Sequence, residues 1–447
     1  MARIRVPRSF SQLETDVKPA EWVPLMAKYR VTDSRGRYLH WNDFQWRVEK
    51  GDDTLAAWYA TKVARMAISQ EFPLKAEDNR FFSYCIPESL FAQLHTIDTL
   101  VGRGDGSPFV SSNEKDRYLV RNLMLEEAIT SSQLEGASTT RDIAKEMLTK
   151  NLPPQDKSQQ MIVNNYLLMQ RVLEKKDEDL SIGLILELHG IATYKAIDNQ
   201  ASPGEIRKDN HIFISDLYGE NSFCPPDWRT IPSRLQDLCA FANESHNQNV
   251  PSEFIHPIVK AIILHFMIGY IHPFGDGNGR TARALFYWYM LRSDYWLFEY
   301  ISISKLIQEK RSAYDKAFLY TETDDFDLTY FLYNQVEAID QAVQSLHDYI
   351  NGKNQAFDQF RDWISKSPIT KRLKRGQLDI LQAALETPGK EFTAGQVALD
   401  FGVTVNTARS YLNNLVDKDL LIEAKSKNSK TIIYIAPANL KTRLKLP

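Results

Sequence analysis

Cysteine is scarce in this chain of 447 residues: Cys85, Cys224 and Cys239 are too few and too scattered for a disulfide framework or a zinc site. No apolar run approaches the roughly 18 residues of a membrane span. The start, Met1-Ala2-Arg3-Ile4-Arg5-Val6-Pro7, carries charge without the apolar stretch that an export signal places behind it. Charge of one sign is not in excess either, since 54 Lys and Arg face 57 Asp and Glu for a net −3, so the molecule as a whole is no polycation. A cytoplasmic protein without a membrane partner is expected. What is present is ordinary globular composition, 43% hydrophobic and 25% charged. A single core seldom grows past about 250–300 residues, so the length suits two or three domains.

One stretch concentrates chemistry: Ile271-His272-Pro273-Phe274-Gly275-Asp276-Gly277-Asn278-Gly279-Arg280-Thr281-Ala282-Arg283. It lies between an apolar run over 257–270 and another over 284–291, and so reads as a helix–loop–helix corner. Gly277 and Gly279 lack Cβ, which lets successive N–H groups curl into an anion nest where a helix begins. Arg280 and Arg283 are three apart, which on a helix puts both guanidinium forks on one side of the first turn. Asp276 adds one hard carboxylate, enough for Mg²⁺ when phosphates and water complete its shell. His272 alone in the stretch has an ordinary pKa near neutrality and can act as a general base. Phe274 is expected to anchor the loop in the core. A glycine-rich helix cap after a core histidine is the bland alternative, but it does not explain so many functional types in fixed order.

The string resembles, without mismatch, the Fic family signature His-x-Phe-x-Asp/Glu-Gly-Asn-Gly-Arg-x-x-Arg. The resemblance implies transfer of AMP from Mg-ATP to a Ser, Thr or Tyr hydroxyl of a target protein. On this sequence it would make His272 the base and Asp276 the Mg²⁺ ligand. Gly277, Asn278, Gly279 and Arg280 would bind the phosphates, and Arg283 the γ-phosphate. Doc-like kinases of the superfamily lack the second glycine, supplied here by Gly279, so adenylylation is preferred to phosphorylation. Further upstream, Ser131-Ser132-Gln133-Leu134-Glu135-Gly136 closes a helical pattern over about 115–136. Glu135 there puts a negative charge at the negative end of the helix dipole, which is locally unfavourable. The segment resembles the family's inhibitory motif, which implies that Glu135, with Ser131, restrains the enzyme by reaching Arg283. Some relatives with this glutamate also remove AMP.

Helices are expected over 54–68, 88–100, 141–149, 158–174, 180–196, 229–246, 305–320 and 328–350. The loop at 102–108, the Pro153-Pro154 pair and the 351–355 segment should break the chain. Two short runs, His211-Ile212-Phe213-Ile214-Ser215 and Ser222-Phe223-Cys224-Pro225-Pro226, read as a β-hairpin. The family resemblance makes that hairpin a flap binding the target by strand addition through His211, Ile212, Phe213 and Ile214, with His211 on its surface. His265 reads as a core histidine and His256 as a helix-start residue, while Tyr287 or Tyr289 are weak candidates to flank adenine. The aromatics of residues 1–60 are expected to pack as an accessory layer.

The expected fold class is mainly α: a Fic-type helical core with a β-hairpin flap, plus an α+β winged helix-turn-helix domain. The organisation expected is an amino-terminal helical extension (1–110), a Fic domain (111–350) and the winged helix (361–447). In the last, Thr393 and Thr404 cap two helices, two strands flank the basic 425–430 wing, and Val405, Ala408, Leu412 and Leu415 share one face. Asn406, Arg409 and Asn413 would face outward. Residues 361–447 hold 15 Lys and Arg against 8 Asp and Glu, a local basic field that suits DNA or a docking protein. A DNA-binding regulator whose Fic core senses nucleotide is the rival reading, although sensing needs no general base. The sequence leaves a homodimer open.

Overall fold

In the computed structural model of the protein the described residues are 4–101, 125–150, 152–197, 202–212, 214–215, 222–245, 254–366, 373–386, 389–401, 403–425 and 432–444. They form a mainly helical protein with small sheets, divided into two compact units, Met1–His347 and Asp348–Pro447. Among the described residues no helix is long and apolar enough to cross a membrane.

The first unit is built around the helix Pro257–Ile271, in which every residue except Pro257 and Gly269 is buried. Its start is fixed locally: Pro257 occupies the first turn, and the His256 imidazole accepts the Ile258 N–H. It packs most extensively on the helix Asn278–Arg292, whose face is buried from Asn278 to Leu291. Around this pair lie Lys157–Glu174, capped by Asp156, then Ile182–Thr193, capped by Ser181, and Ile231–Asn243. His265 is a core histidine, with Nε2 3.0 Å from the Tyr314 hydroxyl. Tyr287 is core as well: it is fully buried and donates to Ile301 O, so it cannot flank a nucleotide.

The amino-terminal aromatics form a layer of their own, with Leu13, Tyr29, Phe44 and Trp58 buried and Trp22 and Trp41 packed against them. Trp46 stays 69% exposed under the Arg5 guanidinium. An antiparallel hairpin, Gln70–Lys75 with Phe81–Tyr84, was not anticipated, because Pro73 within the run argues against a strand. The structure accommodates the proline beside a register shift between Phe72 and Lys75, and Phe82 packs edge-on against Tyr270 at 5.1 Å.

Two helix boundaries differ from expectation. The single helix over 305–320 is two, Ile303–Glu309 and Arg311–Thr323, separated where Lys310 leaves helical geometry at φ −120°. The break expected at 351–355 is absent, and one helix runs from Thr329 to Lys366. A lone helical glycine such as Gly352 costs only about 1 kcal/mol relative to alanine, which a long helix tolerates.

The second unit contains helices Arg375–Glu386, Ala394–Phe401 and Val405–Asp417, and a three-stranded sheet in which Ile432–Ile435 lies between Glu391–Phe392 and Ile422–Lys425. Ala408, Leu412 and Leu415 are buried in its core, whereas Val405, expected on that face, is 45% exposed in the first turn of its helix. Residues 426–431, most of the expected basic wing, lie outside the described residues.

Candidate active site

The corner between Pro257–Ile271 and Asn278–Arg292 is fastened by side chains from elsewhere. Its first residue, His272, has φ 48° and ψ 58°, left-handed geometry that is uncommon without glycine. Arg207 holds it there. The Arg207 backbone N–H donates to Pro273 O at 2.9 Å, its Nε to His272 O at 2.9 Å, and its Nη atoms to Asp209 O and Pro226 O. The same guanidinium therefore joins the corner to both ends of the 211–226 hairpin segment. His189 supports the other side. Its Nδ1 accepts Gly204 N–H at 2.9 Å, so Nε2 carries the proton and donates to Asp276 O at 2.8 Å, while the ring stacks on Phe274 at 3.7 Å. Burial pulls the His189 pKa down to about 4 and keeps this tautomer neutral. Asn278 completes the fastening by binding Phe274 N and O with its side-chain amide. Gly277 has φ +80°, and a Cβ there would stand 2.5 Å from Thr193 Cγ2.

His272 Nδ1 lies 3.3 Å from Gly269 O, and since a carbonyl only accepts, Nδ1 carries the proton and Nε2 is left with its lone pair. Burial, with the Arg207 charge nearby, pulls the imidazole pKa down to about 4, so it is neutral at pH 7. Asp276 Oδ1 accepts Gly277 N–H at 2.6 Å and lies 3.7 Å from Arg280 Nη2. Among the described residues no group of three or more His, Cys, Asp or Glu gathers as a metal site. A single, partly exposed carboxylate beside an anion nest suits Mg²⁺ completed by phosphates and water, and does not suit a cation that needs an all-protein cage.

The two arginines diverge. Arg280 is 1% exposed, and its Nη1 donates to Ala192 O at 2.5 Å, because a buried guanidinium must find acceptors. Arg283 turns to the helical residues 125–134: its Nε donates to Ser131 Oγ at 2.9 Å, and its Nη2 to Ser131 O at 3.2 Å and to Glu135 Oε1 at 3.0 Å. The earlier part of the expected 115–136 helix, residues 115–124, lies outside the described residues. Burial alone would raise the Glu135 carboxyl, but the Arg283, Arg280 and Arg311 charges outweigh it and hold it below its ordinary value. The carboxylate rests so closely on Gly279 that a Cβ there would collide with Glu135 Oε1. Glu127 and Ser132 fix this helix from behind, the first through Ser302 and Ser304, the second through Met161 O.

One cavity of about 170 Å³ brings His272, Asn278, Gly279, Arg283 and Glu135 together, with Ile214 and Phe223 of the hairpin on its wall. The hairpin itself pairs Ile214 with Phe223 and Ser215 with Ser222; His211 is exposed, Ile212 half-buried, and Phe213 lies outside the described residues. Asn406, Arg409 and Asn413 belong to the second unit and are exposed on Val405–Asp417, with Asn413 Oδ1 accepting from the Tyr434 hydroxyl. Sequence reasoning missed Arg207 and His189 as fasteners. It also missed Arg311, whose Nη1 donates to Leu134 O at 3.2 Å and sets a cation at the carbonyl end of the 125–134 helix.

Residues 179–290, which include this corner, match the Fic/DOC family model. Over 124 residues the chain is 32% identical to protein adenylyltransferase fic-1 of Caenorhabditis elegans, covering 28% of this chain and 22% of that protein. Over 175 residues it is 27% identical to protein adenylyltransferase Fic of Nematostella vectensis, covering 37% of each. The chain thus spans between about a fifth and somewhat over a third of these relatives' length. The crystal structure of a Fic family protein from Desulfovibrio desulfuricans G20 superposes with a TM-score of 0.50 at 18% identity, over 79% of this chain and 97% of that one, which shows a shared Fic-type fold.

Proposed function

We propose, from the premise that this chain is a Fic/DOC family protein and a distant relative of the Fic protein adenylyltransferases, that it transfers AMP from ATP to a hydroxyl side chain of a protein. The observation that carries this reading is the shared cavity, in which a neutral His272 stands beside the amide terminus at Asn278–Gly279 and the Arg283 guanidinium. His272 Nε2 takes the hydroxyl proton as the oxygen bonds to the α-phosphorus, the α–β bridging bond breaks, and pyrophosphate leaves. Gly277, Gly279 and the first-turn amides hold phosphate oxygens, and Arg280 adds its charge from beneath. Asp276 would hold Mg²⁺, which supplies neutralisation of charge on the departing pyrophosphate. Ile214 and Phe223 present a hairpin edge that the target's extended segment can pair with. The Glu135 carboxylate occupies Arg283 and covers Gly279, so the resting enzyme is restrained.

Incubation of the purified Glu135→Gly protein with ATP labelled at the α- or γ-position tests this reading. Label retained on protein from the α-position alone, and lost in His272→Ala, is the expected result; γ-label on protein would mean phosphorylation.

For the second unit we propose a winged helix that presents Asn406, Arg409 and Asn413 to duplex DNA, supported by their exposure. Its DNA affinity should fall with a log–log salt slope near −0.9 per phosphate contact and weaken in Arg409→Ala. A salt-insensitive or absent shift would favour protein docking.

A further inference from the structure

His272 takes its orientation from its backbone, because among the described residues its ring makes one hydrogen bond, from Nδ1 to Gly269 O at 3.3 Å. That backbone is left-handed, a conformation that needs outside support in a residue with a Cβ. Arg207 supplies the support by donating from Nε to His272 O and from its backbone N–H to Pro273 O, each at 2.9 Å. Its Nη atoms go elsewhere, to the two ends of the hairpin segment. Nη1 donates to Asp209 O at 2.7 Å and to Asn210 Oδ1 at 3.1 Å, and Nη2 to Pro226 O at 2.5 Å. Asn210 Oδ1 also accepts the Trp228 N–H at 2.9 Å, which joins the start of the segment to the chain beyond its end. Between these ends Ile214 pairs with Phe223, and both line the cavity that holds His272. A guanidinium is planar and rigid, so acceptors on one of its edges cannot shift without disturbing those on the other.

We infer that Arg207 is a positioning residue that ties the general base to the target-binding edge, so that the alignment of His272 for proton transfer depends on the set of the hairpin. This role rests on the transfer reading proposed above. A target segment that pairs with the hairpin steadies its two ends, and through the guanidinium it steadies the His272 carbonyl and the direction of Nε2. A slack hairpin leaves the base loosely aimed, and a misplacement of about 1 Å in such a group costs about 10²-fold in rate. Water pairs with no strand and so gains little from that base. The tie therefore favours a protein hydroxyl over hydrolysis of ATP.

The full-length Glu135→Gly protein, with Arg207→Lys, Asn210→Ala or both added, tests this role. Arg207→Lys keeps the charge but cannot span both sides, whereas Asn210→Ala alters the hairpin end without touching His272. At saturating ATP, Arg207→Lys should slow automodification about 10- to 100-fold, and Asn210→Ala about 3- to 10-fold, as for one lost hydrogen bond. ATP affinity should stay within about threefold in each. The double variant should be no slower than Arg207→Lys, because the contact that Asn210 makes is already cut. Nitrogen NMR of the His272 ring, which needs no turnover, should show the Nδ1-protonated form in the starting protein and a mixture of tautomers in each variant. Ring signals that ignore Asn210→Ala, losses that multiply in the double variant, or a loss of ATP affinity equal to the loss of rate would each overturn the tie. Should Arg207→Lys fail to fold, the ring signals of Asn210→Ala decide alone. Absence of AMP transfer in Glu135→Gly, with ring signals that still respond to Asn210→Ala, would overturn the transfer reading and leave the link between hairpin and ring standing.

Discussion

Two clusters of opposite charge are packed into the first unit, and they are built differently. In one, Lys62 Nζ lies 2.7 Å from Asp324 Oδ1 and 3.2 Å from Asp325, with 8% of the lysine side chain and none of Asp324 exposed. Arg65 beside it donates to the Tyr330 hydroxyl, Leu39 O and Val31 O and lies 3.6 Å over the Tyr38 ring. Tyr330 in turn donates to Asp324 and Tyr38 to Asp327, so each charge answers to several elements. In the other cluster Glu135 is 27% exposed and, among the described residues, makes one ion pair, to Arg283 by a bond of 3.0 Å. The first joins the amino-terminal layer to the start of the helix Thr329–Lys366 and has no reason to open. The second rests on Gly279, and on the proposed reading it opens when its carboxylate moves aside for a phosphate. Redundant partners make a clamp, and a single partner beside a binding nest makes a latch.

The contrast can be broken in several places. The largest expected effect is at the base: His272→Ala should lower AMP transfer by about 10²–10⁴-fold, with less than about 1 kcal/mol lost in a denaturant titration, as for a substitution outside the core. Equal losses of nucleotide affinity and transfer would make the histidine structural. Next comes the clamp. Lys62→Met strands Asp324 and should cost about 3–5 kcal/mol of stability without raising transfer, whereas pairing it with Asp324→Asn should recover part of the loss. A Lys62→Met protein as stable as wild type would show that the redundancy is ornamental. Third is the latch, where Glu135→Gly should raise automodification about 30- to 150-fold, corresponding to ~2–3 kcal/mol of released restraint. Arg283→Ala should be inactive, and so should the double variant, as read by AMP incorporation in intact mass.

The smallest effect concerns pH. The neutral imidazole is the working form, so activity is lost as pH falls through its pKa, which the structure pulls down to about 4. The kcat/KM profile of Glu135→Gly should therefore be flat between about pH 6 and 8, with its acid limb well below the ordinary histidine value near 6.5. The Glu135 carboxyl is also depressed, so the latch holds above the ordinary carboxylate range and weakens only as pH falls through the lowered folded value. The ratio of variant to wild-type rate should stay constant across the same window, and a limb centred near 6.5 would mean a solvated His272.

How much of this was legible in the chain depends on how far apart the cooperating residues lie. The 271–283 corner is contiguous, and its glycines, arginines and histidine declare a local geometry. The helix dipole marked Glu135 only as locally unfavourable, and it was the resemblance to the inhibitory motif that pointed to Arg283, far along the chain, which the structure places 3.0 Å away. His189, Arg207 and Arg311 are single residues in unremarkable helix or loop sequence, and they gain roles only when folding brings Asp276 O, His272 O and Leu134 O to them. Pro73 disguised a strand and Gly352 mimicked a break, because in each case tertiary or helical context outweighed a local preference.

The way the corner is fastened has an evolutionary consequence. Arg207 grips the backbone oxygens of His272 and Pro273, His189 grips that of Asp276, and Asn278 closes the turn on Phe274, whereas the His272 ring itself makes, among the described residues, one hydrogen bond at 3.3 Å. The imidazole is a passenger on a scaffold that does not depend on it. If the proposed activity holds, descendants of such a protein stand one substitution from a fold that still receives nucleotide and performs no chemistry, and the way back is equally short. On the proposed reading, enzyme and receptor are neighbouring points in this sequence space, joined by a position whose side chain the corner's fastening uses little.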